Sequence, residues 1–136
     1  MGTKSFKAKD DEILFSGAGR FTLNSGRMTN AASAQFGVTM VAPCDLYIHS
    51  IHYNIDTQFT HASSKLNIGK LSDDDAYVDG IVLQNITTGY YEHDMTAASV
   101  ITRFISKGEV IAFSLDAADT TGKISATAVL VPYNPA

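Results

Sequence analysis

Between Leu46 and Ile55 the apolar side chains recur every second residue and then lose step by one. Leu46 and Ile48 define one face, whereas Ile51, Tyr53 and Ile55 define a set shifted by a single position. In a strand, successive side chains point to opposite faces, so an uninterrupted ladder would turn half of these residues to water. The spacing therefore predicts a long strand with a bulge or bend near Ser50, crossing from one region of a core to another. Such a strand suits a sandwich, in which a bent strand serves two parts of one core.

The rest of the chain is punctuated in the same way. Ile13-Leu14-Phe15 runs into Ser16-Gly17-Ala18-Gly19, and Arg20 to Leu23 runs into Asn24-Ser25-Gly26, residues that favour turns because glycine takes positive φ and Asn and Ser bond their own backbone. Met28 to Ala34 reads as a loop, and Phe36, Val38 and Met40 as a strand closed by Pro43. Lys65 to Gly69 alternates and leads into an acidic turn, Ser72-Asp73-Asp74-Asp75. Ile81-Val82-Leu83 reads as a short buried strand, and Gly89-Tyr90-Tyr91-Glu92-His93 as a loop with an aromatic tip. Val100 to Ile105 fits a strand and a single helical turn equally. Lys107-Gly108-Glu109 is a turn, and Val110 to Leu115 and Lys123 to Tyr133 read as an antiparallel hairpin stopped by Pro132 and Pro135. About eight short strands, without a convincing amphipathic helix or an internal repeat, predict an all-β fold: an antiparallel β-sandwich or a barrel.

Met1 to Glu12 is polar, mixed in charge and carries a single aromatic, Phe6. It reads as an extended N-terminal arm (1–12) on a single β domain (13–136), with a reach of roughly 40 Å. Lys4, Phe6, Lys7 and Lys9 are its candidate contact residues. Asp10, Asp11 and Glu12 stand where an export signal needs apolar residues, so the expectation is a protein made and assembled in a cytoplasm. With 136 residues, 45% hydrophobic and 18% charged, the chain has material for one core. A net charge of −4 gives no general footprint for nucleic acid or anionic lipid.

Motifs for chemistry are sparse. Cys44 is the single cysteine and reads as a small buried apolar residue. His49 and His52, three apart, fall on opposite faces of a regular strand and meet only if the bulge intervenes. The four histidines, which include His61 and His93, lack any paired metal-ligand motif, so no metal and no cofactor is expected. Asp73, Asp74, Asp75 and Asp79 offer the oxygens calcium needs but do not follow EF-hand spacing, and they read as a solvated turn, with a calcium site as the alternative. The sequence has no GxSxG elbow and no phosphate loop, and the expectation is a protein that is not an enzyme. Phe59, His61, Tyr90, Tyr91 and His93 form a candidate ligand or interface patch, since aromatic rings offer area at low entropy cost.

Ile105-Ser106-Lys107-Gly108-Glu109-Val110-Ile111-Ala112-Phe113-Ser114, then Thr121-Gly122-Lys123-Ile124 and the ending Val131-Pro132-Tyr133-Asn134-Pro135, resemble the closing hairpin of small jelly-roll virion structural proteins of tailed bacteriophages. Asp75-Ala76-Tyr77-Val78-Asp79-Gly80-Ile81 is also similar to a phrase common in phage structural proteins. The resemblance covers about half the chain, residues 64–135. It implies a jelly-roll capsid decoration or cement protein on the virion surface, a homotrimer bound to the major capsid protein or other virion subunits, whose arm grips the shell or the next subunit. The alternative expectation is a carbohydrate- or receptor-binding module of a phage fibre or tail, using the aromatic patch.

Overall fold

Nine strands carry the pattern of alternation in a computed structural model that describes residues 20–29, 35–116 and 121–133. They are β1 (Phe21–Thr29), β2 (Gln35–Val41), β3 (Leu46–Thr57), β4 (Lys65–Lys70), β5 (Asp73–Val82), β6 (Gly89–Glu92), β7 (Phe104–Ile105), β8 (Val110–Asp116) and β9 (Lys123–Pro132). Every regular element among the described residues is a strand. The arm at Met1–Glu12, with Lys4, Phe6, Lys7 and Lys9, and the expected strand at 13–15 lie outside the described residues.

The strands form two antiparallel sheets. One has the order β1-β9-β3-β6, with β7 also paired to β3, and the other has the order β2-β8-β4-β5. The pairs β1 with β9, β2 with β8, β3 with β6 and β4 with β5 are those of one long antiparallel hairpin rolled into two layers, the jelly-roll arrangement. The fold is thus an all-β antiparallel sandwich. β8 and β9 were expected to pair as a hairpin, and they do not. β8 is flanked by β2 and β4, and β9 by β1 and β3, so the link between them crosses from one sheet to the other. Both strands are central, and each already has a partner on either side.

Between the sheets lies one cluster of buried side chains. β9 contributes Ile124, Ala126, Ala128 and Leu130, the face its alternation predicted, and β3 contributes Leu46, Ile48, Ile51, Tyr53 and Ile55. The other sheet adds Leu66 and Ile68 from β4 and Ile111, Phe113 and Leu115 from β8. Their neighbours Asn67, Ala112 and Ser114 are buried as well, which is why the sequence of β8 reads as a continuous run and not as an alternation. Asn67 is fully buried and satisfied: its Oδ1 accepts from the Gly80 amide at 2.8 Å and its Nδ2 donates to Asp116 at 2.9 Å. That side chain fills the register gap where β5 bulges past β4.

Four local expectations are corrected. Asn24-Ser25-Gly26 is no turn but a bulge within β1, because Gly26 takes φ 69° and the Ser25 hydroxyl accepts from the Ala126 amide at 2.9 Å, substituting for a ladder carbonyl. Met28, expected in a loop, is buried in the last turn of that strand's pairing with β9. Asp73, Asp74 and Asp75 belong to β5, and the turn itself is Leu71-Ser72. Gly89 to Glu92 forms edge strand β6, since β3 is long enough to offer it Asn54, Tyr53 and His52 as partners. Between Val100 and Ile105 the chain makes a bridge at Val100 and the short strand β7, with no helical turn.

Gly69 sits where β5 folds back over β4, and a Cβ there would lie 2.3 Å from the Asp73 carbonyl oxygen. Backbone cannot move aside cheaply, so Gly69→Ala is expected to lower stability by about 1–3 kcal/mol or more, measured by urea unfolding. Unchanged stability would show that β5 does not press on Gly69.

Candidate functional site

The predicted phase slip in β3 is present, and it builds the outer surface of the first sheet. Ile48 pairs with Leu130 and Ser50 with Val129, so His49 has no partner of its own in β9. An extra residue leaves carbonyls without ladder donors. Arg103 supplies them: its Nε donates to the Ile48 carbonyl at 2.9 Å and its Nη2 to the His49 carbonyl at 2.8 Å. The Ile48 amide in turn donates to the Arg103 carbonyl at 2.8 Å.

The same guanidinium lies over the ring of Tyr47, 4.4 Å from its centroid. Tyr47 alternates with Leu46 and Ile48 and therefore faces outward, where it meets Phe104 of β7 at a ring-centroid distance of 5.0 Å. Tyr133 completes the group, 4.8 Å from Phe104 and 6.4 Å from Tyr47. Asp45 fixes this end of the sandwich, its carbonyl accepting from the Tyr133 amide and its Oδ1 from the Lys107 amide, each at 2.9 Å. Phe104 is 50% exposed and Tyr133 40% exposed, so the cluster presents aromatic area to solvent.

Beyond the bulge, the outer face of the same sheet is polar. The Ser50 hydroxyl hydrogen-bonds both His52 Nε2, at 2.9 Å, and His49 Nδ1, at 3.3 Å, so the bulge does bring the two histidines to a shared partner. The other nitrogen of His52 bonds the Tyr90 hydroxyl, and the two rings stack at 5.8 Å and 14°. His52, Tyr53, Asn54, Tyr90, Ser125 and Thr127 line an open depression of about 150 Å³.

The five residues expected to share a patch do not share one. Phe59 is fully buried in the core, where the backbone of Gly122 lies flat against its ring, so it cannot meet a ligand. His61 is exposed and bonds the amide and hydroxyl of Ser63 within its own turn. Tyr91 stacks inward on Tyr53 at 5.5 Å and donates to the Thr87 carbonyl at 2.8 Å. His93 bonds Ser99 at 3.0 Å, and burial lowers its pKa. Tyr90 faces out, 66% exposed. Cys44, expected to be buried, is half-buried at the edge of the core, and its thiol pKa is raised by burial and by Asp45. Sequence reasoning passed over Tyr47, Arg103, Phe104 and Tyr133. The signal for Tyr47 was its position out of phase with Leu46 and Ile48.

Asp73, Asp74 and Asp75 bring carboxylate oxygens within 4.8 Å of one another. A hydrogen bond with Asp73, with burial and the neighbouring acids Asp79, Asp73 and Asp74 behind it, pushes Asp75 up to about 6.

No family model matches the chain, and no curated protein matches it. Among solved structures, a chain of the cyanophage Pam1 capsid asymmetric unit is similar at 16% identity, over 84% of this chain and 82% of that one, with a TM-score of 0.43.

Two outcomes follow from the geometry. Arg103→Ala leaves two bulge carbonyls without their charged donor and is expected to cost about 2–3 kcal/mol in chemical denaturation, whereas Arg103→Lys restores part of it. A loss within 0.5 kcal/mol, the range of ordinary surface changes, would show the bulge needs no such donor. The folded state holds the Asp75 proton to a higher pH than the unfolded chain does, so this site's contribution to stability is present below about pH 4 and disappears as pH rises through about 6. Asp75→Asn is expected to flatten the fall in melting temperature between those limits, and an identical pH profile in the variant would refute the assignment.

Proposed function

We propose that this chain is a non-enzymatic virion structural subunit of the capsid decoration or cement type, which binds the outer face of a shell and stabilises it by contact. The observation that carries the reading is the exposed cluster of Tyr47, Phe104, Tyr133 and Arg103. Aromatic residues and arginine dominate the energetic centres of protein interfaces, and here they are already held in place, so little ordering entropy is lost on docking. The occupant we assign to the cluster is the shell subunit.

Two further features support the reading. The core of the rolled sandwich is closed by its own strands, so the exposed rings serve no internal packing. Edge strand β5 carries Asp73, Asp74, Asp75 and Asp79, and like charges along an edge deter pairing with a second copy at that side. Contact is thereby directed to the other sheet. In this proposal the arm Met1–Glu12, with Lys4, Phe6, Lys7 and Lys9, is a second contact on a single domain spanning residues 13–136. The assembled form is a homotrimer on the capsid surface, put together in the host cytoplasm. Repetition over a lattice would give avidity to individually weak contacts. The resemblance of residues 64–135 to small virion proteins points to the same role.

The test is co-sedimentation of the full chain with capsid shells of its own virus, with light scattering for the free protein. The double variant Phe104→Ala/Tyr133→Ala is expected to lose shell binding by at least about 2 kcal/mol, roughly thirtyfold, while its melting temperature stays near that of the parent. Absent binding by the parent protein, or unchanged binding by the variant, would overturn the proposal.

A further inference from the structure

The outer face of the first sheet carries a second feature that the aromatic cluster does not use. Tyr90 stands on edge strand β6 with two thirds of its surface in solvent. Its ring is not loose. The hydroxyl bonds His52, the imidazole lies parallel to the ring, and His52 is itself anchored through Nε2 to the buried Ser50 hydroxyl. The register then sets polar groups beside it: Asn54 pairs with Tyr90 across β6, Ser125 pairs with Asn54 across β9, and Thr127 pairs with His52. These side chains surround the open depression of about 150 Å³.

Its chemistry is that of an uncharged ligand with one apolar face. No Asp, Glu, Lys or Arg lines the depression. Asp56, next along β3, is paired with Arg27 at 3.1 Å and also accepts from Asn54. The volume lies well below the roughly 300 Å³ at which sites for drug-sized ligands begin, so it accommodates a single ring and not an extended one. A fixed aromatic face beside an amide and two hydroxyls matches a pyranose, whose C–H face stacks while its hydroxyls exchange hydrogen bonds.

We infer that the depression between Tyr90, Asn54 and Ser125 is a binding site for one neutral pyranose residue of a glycan. Tyr90 supplies the stacking face, Asn54, Ser125 and Thr127 the hydrogen bonds, and His52 holds Tyr90 in position. The site is independent of the shell-binding surface, since Tyr47, Phe104 and Tyr133 contribute nothing to it.

The experiment is heteronuclear NMR titration of the full chain with the methyl glycosides of glucose, galactose and mannose and with N-acetylglucosamine, using sialic acid as the charged comparison. At least one neutral probe is expected to shift amides of residues 52–54, 90 and 125–127 saturably in the millimolar range, with sialic acid weaker. Tyr90→Ala should weaken that probe roughly fivefold to tenfold, the value of one aromatic contact. Since Tyr90 is exposed, the variant's unchanged amide spectrum elsewhere verifies its fold, and Ser125→Ala provides a second variant expected to weaken the same probe. No saturable shift with any neutral probe, shifts confined to other residues, tighter binding of sialic acid, or full affinity in both variants would each overturn the inference.

Discussion

β3 pairs with β9 along nearly its whole length and still buries apolar side chains on both sides of Ser50 only because one residue, His49, is left out of the ladder. Without that slip, a strand that buries Leu46 and Ile48 would turn Ile51, Tyr53 and Ile55 to water, and three large side chains would leave the core. β3 also receives β6 at one end and β7 at the other, so the bulge governs where both of these short strands attach. This omission, the first of two along the β3–β9 ladder, sets the phase of the first sheet's core face.

The omission has a chemical consequence on the opposite face. A bulge exposes carbonyls, and the donor that satisfies them is the guanidinium of Arg103, brought close by the pairing of β7 with the start of β3. Arg103 then covers Tyr47, and Tyr47 orders Phe104 and Tyr133. On the far side of the slip the Ser50 hydroxyl gathers His49 and His52, and His52 holds Tyr90. This irregularity thus divides the outer surface into an aromatic end, where we place the protein contact, and a polar end, where we place the neutral ring.

The slip itself was legible because apolar residues change phase in plain view between Ile48 and Ile51. The face of β9 was legible for the same reason, its Ile124, Ala126, Ala128 and Leu130 never losing step. The partner of each strand was not. β8 and β9 are adjacent in sequence and separated by turn residues, which suggests a hairpin, and only the competition of β1, β2, β3 and β4 for their edges sends them to different sheets. Asn24-Ser25-Gly26 misled in a related way, since the residues that make turns are also those that make bulges. The site was the least legible part. Phe59 and Tyr90 look alike in composition, and what separates them is that the chain around Phe59 closes over it with Gly122, whereas Tyr90 stands on an edge strand. Tyr47, Arg103, Phe104 and Tyr133 come from three separate segments, and nothing local announces that they converge.

The most direct test is the pattern of cross-strand nuclear Overhauser effects in the isolated full chain. The account predicts Ile48 opposite Leu130, Tyr53 opposite Ala126 with one residue skipped between them, and no ladder joining β8 to β9. A continuous β3–β9 register through His49, or an antiparallel β8–β9 ladder, would contradict it.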